Sequence, residues 1–257
     1  MGIRDEFKSS LQYMLTTEPF DLEDGNGIEL VQLTDENVAK VEAMIRNDSS
    51  YKKSFDENAC PKGAYEGSTA YWMTKLKSII EGKENNLTYE DIIPKVVSSI
   101  DRENSTHLNS DGCGRQVISE RIIKLCKEDK LIDSLKNGDL EVFKVIQEKT
   151  NPINNGDKKY KGRENTSFAS KFCHYACFFL FEDDELRDKY SIYDKVISSV
   201  LPYYMEMYQV DNSESLKDYS YYCKVIDLIR EKATPKNKTQ ISRNGFDHLL
   251  WYYHKGR

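Results

Sequence analysis

The chain has 257 residues, enough for one large or two small domains with a substantial core. Charged residues make up 31% and the net charge is −6, which excludes a protein that coats nucleic acid over its whole surface but leaves room for a local basic face. No apolar run is long enough to span a bilayer, and the charged N-terminus, Met-Gly-Ile-Arg-Asp-Glu-Phe, lacks a signal-peptide core, so no membrane association is expected.

Residues 1–17 read as an amphipathic helix, with Ile3, Phe7, Leu11 and Met14 or Leu15 on one side. Phe20 to Gly27 reads as a loop, and short strands near Ile28 to Leu33 stay open as an alternative to irregular chain. Thr34-Asp-Glu-Asn opens a helix through Val38, Val41 and Ile45, although Asn37 stands where a capping box prefers glutamate. Asn47 to Gly67 is irregular. Ser68 to Ile80 is helical in pattern, and Thr88-Tyr-Glu-Asp caps a helix carrying Ile92, Ile93, Val96, Val97 and Ile100, with Pro94 tolerable only near its start.

Asp101 to Gly114 is polar and marks the clearest break, which divides the chain into an N-terminal helical part, 1–114, and a second part, 115–257. The spacing of Ile118, Ile122, Leu125 and Ile132 predicts one helix over 118–135, stopped by Asn137-Gly138; Asp139 opens a short helix with Leu140, Phe143 and Ile146. Asn151 to Asn165 is a polar loop. Thr166 or Ser167 can then cap a helix carrying Phe172, Tyr175 and Phe179 on one face. A charged stretch, Glu182 to Asp188, precedes Asp194, a good N-cap for the apolar helix directly behind it. Two more helices follow, one with Tyr219, Tyr222, Ile226 and Ile229, and one with Phe246, Leu249, Leu250 and Tyr253 capped near Ser242 or Asn244. The fold class expected is all-α.

Lys171 and Asp194 thus stand at the starts of consecutive helices, and a steep or antiparallel crossing lets both face one cleft. A lysine amine in its neutral form is a nucleophile, and a capped aspartate is a rigid carboxylate suited to a developing cation. Lys158, Lys159, Lys161 and Arg163, with Lys171, give residues 151–171 a local charge of +3. Residues 232–257, with Arg243 and Lys255 among them, carry +5. Two basic segments on an acidic protein suggest one polyanion-binding face. Trp251, Tyr252, Tyr253 and His254 are aromatic; Tyr252 and His254 are expected to point outward and could stack on an extruded base.

Ser-Phe-Ala-Ser-Lys followed by Ile-Tyr-Asp resembles the catalytic region of helix-hairpin-helix DNA glycosylases, most of all the 8-oxoguanine DNA glycosylase-like branch. The resemblance covers at most the C-terminal half and implies a helical bundle whose C-terminal half is glycosylase-like. It implies Lys171 as the Schiff-base nucleophile and Asp194 as the helix-capping catalytic aspartate. It also implies DNA as partner through the basic residues named above with Ser167 and Ser170, base excision with lyase activity as in DNA repair, and no cofactor. The glycine-rich hairpin usual before the lysine is absent, with only Gly162 nearby. The alternative is therefore a non-catalytic nucleic-acid or protein-binding module that keeps the scaffold.

Cys173 and Cys177 share a helix face, but Cys113, Cys126, His107 and His248 show no paired spacing to complete a zinc site, so no metal is expected. The six scattered cysteines read as reduced thiols of a cytoplasmic protein.

Overall fold

A computed structural model describes residues 14–21, 27–47, 66–108, 114–149, 154–155, 158–159 and 164–255. The fold is mostly helical, with eleven α-helices and two two-stranded hairpins among these residues. The helix expected over 1–17 lies largely outside them. The chain forms two compact units: unit 1 joins Met1–Asp48 to Tyr193–Arg257, and unit 2 is Ser49–Ile192.

Unit 1 opens with strands β1 (Thr17–Asp21) and β2 (Gly27–Val31), paired antiparallel with Thr17 opposite Val31 and Asp21 opposite Gly27. Phe20 was expected in a loop. Pro19 is tolerated in the strand because both strands of a two-stranded sheet are edges. Two carbonyls of β2 are taken by tyrosines: Tyr204 donates to Val31 O at 3.0 Å and Tyr253 to Glu29 O at 3.5 Å. Helix α1 (Asp35–Asn47) follows, with the Asn37 N–H donating to Thr34 Oγ1. The Asn37 side chain does not complete a capping box. It is fully buried and clamps the hairpin's ends, accepting from Thr16 N–H at 3.0 Å and donating to Thr16 O and Gln32 O at 2.8 and 2.9 Å.

In unit 2, α2 (Thr69–Ile80) is capped by Ser68, and α3 (Tyr89–Asn104) starts with a complete Thr88–Asp91 capping box and keeps Pro94 in its second turn. The polar stretch from Asp101 is still helical to Asn104 and lies within this unit, so the units do not divide at 114/115. Gly114 opens α4 (Gly114–Lys127) where any Cβ would come within 2.1 Å of Leu108 O. The single helix expected over 118–135 is broken at Asp129, whose φ of +56° ends the ladder before α5 (Lys130–Asn137). Gly138, at φ +67°, closes α5 as an αL cap. Helix α6 (Glu141–Gln147) leads to the two-residue strands β3 (Asn154–Asn155) and β4 (Lys158–Lys159). Helix α7 (Thr166–Leu180) packs against α2, α3, α5, α6 and the short α8 (Asp184–Arg187), so most of its length is buried. The chain re-enters unit 1 through α9 (Lys195–Met207), α10 (Tyr219–Ala233), a 3₁₀ turn (Thr234–Lys236) and α11 (Arg243–His254). There α11 is central, packing against α1, α9, α10 and β2. No helix among the described residues is long and apolar enough to cross a membrane.

Candidate active site

Lys171 lies one turn into α7. An ordinary helical lysine keeps its head in water, but α7 is covered on several sides, and Lys171 is only 6% exposed. Its Nζ donates to Ser167 Oγ at 2.8 Å. On the same helix Phe168 and Phe172 are buried and stacked at 6.4 Å, and Ala169, Cys173 and Ala176 are fully buried. His174 is buried one turn further on, with Nδ1 3.1 Å from Tyr190 O. A carbonyl oxygen only accepts, so Nδ1 carries the proton in that bond.

The cap of α7 differs from expectation. Asn165 occupies the N-cap, and its side chain accepts no helix N–H. The two hydroxyls expected to cap are used otherwise: Thr166 Oγ1 accepts from Gln147 Nε2 at 2.9 Å, and Ser167 Oγ accepts from Lys171. Ser167 is half-buried. Ser170, expected on the DNA face, is fully buried and donates to Ser167 O at 3.0 Å, because its position on α7 turns inward.

The cysteines of α7 are packing groups. Cys173 and Cys177 are fully buried, and Cys177 Sγ lies 3.8 Å from Leu135 O. Burial pushes the Cys177 thiol up to about 12, and burial, aided by Glu90, does the same to Cys126. No group of three metal-ligating side chains exists among the described residues.

Asp194 belongs to unit 1, as the N-cap of α9. Its carboxylate accepts from Val196 N–H at 2.7 Å, and the side chain is half-buried. Tyr193 meets Tyr222 at 5.0 Å between ring centres, and Tyr222 stacks on Tyr219 at 6.2 Å. The Tyr222 phenol is held well above its ordinary value by burial first, then by Asp247, Cys223, Asp194 and Tyr193. The aspartate therefore stands beside an aromatic wall. Helical spacing placed Tyr222 in the core and gave no sign of this neighbourhood; Tyr193, next to the aspartate, was the one signal in the sequence.

The remaining candidates scatter. Arg243 grips Asp227 through two hydrogen bonds, Nε–Oδ1 at 2.9 Å and Nη2–Oδ2 at 2.5 Å, and Arg230 joins the same carboxylate at 2.8 Å. Lys255 lies over the Trp251 ring with Nζ 3.6 Å from its centre. Tyr252 is half-buried and meets Trp251 edge-on. His254, expected to point outward, is 4% exposed, with Nε2 3.0 Å from Tyr204 OH; that hydrogen bond holds it inside unit 1 and removes it as a stacking platform. Lys158 and Lys159 lie in β4, opposite Asn155 and Asn154. Lys161 and Arg163 fall outside the described residues.

Residues 38–179, more than half of the chain, match the family model HI_0787_N, described as an N-terminal domain. The matched stretch includes Lys171 and ends before Asp194. No curated protein and no solved structure matches the chain.

Proposed function

We propose that this chain, which belongs to the HI_0787_N N-terminal-domain family, is a DNA glycosylase with lyase activity that excises a damaged or modified base through lysine chemistry. The observation that carries this reading is the burial of Lys171, a cation-forming side chain in a helix start packed with aromatic and small residues. The neutral amine is the nucleophilic form of a lysine. Its nitrogen bonds to the sugar C1′ as the bond from C1′ to the base breaks, with the electron pair leaving on the base, which takes up a proton. The aminal then loses its link to the ring oxygen and becomes an iminium. Loss of a C2′ proton from that iminium expels the 3′ phosphate and cuts the strand. By the resemblance alone, Asp194, the N-cap of α9, is the carboxylate whose negative charge would favour a cationic sugar. No cofactor enters these steps.

Borohydride reduction fixes the iminium and joins protein to DNA. Wild type incubated with a panel of damaged-base duplexes should give a trapped adduct, and Lys171→Gln should give none while its thermal midpoint stays near wild type. Asparagine caps about as well as aspartate, so Asp194→Asn should stay folded and bind DNA yet excise about a hundredfold more slowly; Asp194→Ala should in addition lose about 1 kcal/mol of stability. Trapping by Lys171→Gln at the normal rate would assign the nucleophile elsewhere. Absence of trapping by wild type on every substrate would favour the scaffold-only binding module, which the missing hairpin glycines also favour.

A further inference from the structure

We infer that the start of α7 is an oxyanion site that takes a phosphate group. The first N–H groups of an α-helix have no partner within it and carry the positive end of its dipole. At six other helices of this chain the N-cap side chain accepts from those groups: Ser68, Thr88, Asp183, Asp194, Asp218 and Ser242. At α5 and α6 the caps, Asp129 and Leu140, make no such bond, and at α7 the Asn165 side chain does not either. Its backbone is fully engaged, with its N–H donating to Gln147 O at 3.0 Å and its carbonyl accepting from Ala169 at 2.8 Å. Its side chain is only 6% exposed, and the amide Nδ2 is buried with no hydrogen-bond partner.

A buried amide donor at the end of a helix whose N–H groups also seek acceptors makes a socket of donors. The neighbouring hydroxyls add to it. Thr166 Oγ1 and Ser167 Oγ each accept a hydrogen bond, from Gln147 and Lys171, so each keeps its own proton to give. A phosphate has oxygens enough to receive the amide, the helix end and the hydroxyls together. The nearest carboxylate in sequence, Glu164, is exposed and can turn into water. The site needs no covalent step and does not rest on the lysine chemistry proposed above. Its phosphate can come from a nucleic-acid backbone or from solution.

The test uses the full chain and inorganic phosphate. The wild-type thermal midpoint should rise with phosphate relative to chloride at equal ionic strength, since a ligand that binds only the folded state stabilises it. Asn165→Asp replaces the donor by an accepting cap; its midpoint without phosphate should rise, and its response to phosphate should vanish. Asn165→Ala should bind phosphate about tenfold more weakly, through loss of a charge-assisted hydrogen bond. Competition then identifies the source. Duplex DNA that displaces bound phosphate from wild type marks a backbone phosphodiester, and DNA that leaves it bound marks free phosphate. A wild-type midpoint identical in phosphate and chloride, or an undiminished response in Asn165→Asp, overturns the site. Borohydride trapping of the same proteins keeps the two readings apart, because a wild type that traps DNA but ignores phosphate sinks this site and leaves the lysine chemistry standing.

Discussion

Asp101 stands one turn before the end of α3 and is 4% exposed, yet its carboxylate is saturated. It accepts from Thr106 Oγ1 at 2.6 Å, from Leu108 N–H at 3.0 Å and from Arg115 Nε at 2.7 Å. Burial alone would raise the carboxyl, but these donors together hold it below the ordinary carboxylate value. Because the folded value is depressed, the stabilisation is fully present above the unfolded carboxyl value, near 4, and is lost as pH falls through the folded one. Asp101→Ala should therefore cost about 2–4 kcal/mol at neutral pH, through the donors left unpaired. That gap from wild type should shrink in denaturant titrations carried below about pH 4. A gap independent of pH would show that the loss comes from packing and not from the carboxylate. In sequence Asp101 looked like the first residue of a loop, since nothing in a polar run shows that one member is buried. Lys171 and His254 teach the same point in opposite directions. The lysine's position near a helix start was legible and its burial was not, while the histidine's outward direction failed because its partner, Tyr204, lies 50 residues away.

Helices with a polar cap and a regular apolar face were legible almost to the residue. Ser68, Thr88, Asp194 and Ser242 all cap as their chemistry requires. Two kinds of element were not. The break between α4 and α5 is invisible because the apolar spacing runs straight through it, and Asp129 enters the left-handed region without a glycine to announce it. Of the hairpin β1–β2 only a short strand near Ile28 to Leu33 was legible as an alternative, and β1 was not, because strands so short take their stability from partners distant in sequence: Tyr204, Tyr253 and the buried side chain of Asn37. Asn37→Ala removes three hydrogen bonds to the hairpin's ends and should cost about 1–3 kcal/mol in unfolding experiments, the amount reduced by hydration of the exposed Thr16. Asn37→Asp keeps the acceptor for Thr16 N–H but sets a carboxylate against two carbonyls, so it should cost more than alanine. An aspartate variant as stable as wild type would mean that the clamp contributes little.

Unit 1 is assembled from both ends of the chain and unit 2 from its middle, so a single boundary drawn along the sequence could not have found them. The two basic segments divide likewise, residues 158–163 in unit 2 and 232–257 in unit 1. A molecule of net charge −6 repels a polyanion at long range and can bind it only through local contacts, so salt dependence is the informative measurement. Each phosphate neutralised releases condensed counterions, and log affinity falls against log salt with a slope of about −0.9 per contact. If Lys158, Lys159 and Lys161 each meet a phosphate, reversing all three to glutamate should flatten the slope by about 2.7. The same change takes the net charge from −6 to −12, since each reversal subtracts two, and this weakens affinity even without lost contacts. A matched control separates the effects. Reversing Lys83, Lys124 and Lys130, whose side chains are 71%, 76% and 53% exposed, changes the total charge equally. The control should lower affinity while leaving the slope near that of wild type. Equal slopes in the two triple variants would remove residues 158–161 from the proposed DNA face, and only the C-terminal segment would remain to supply it.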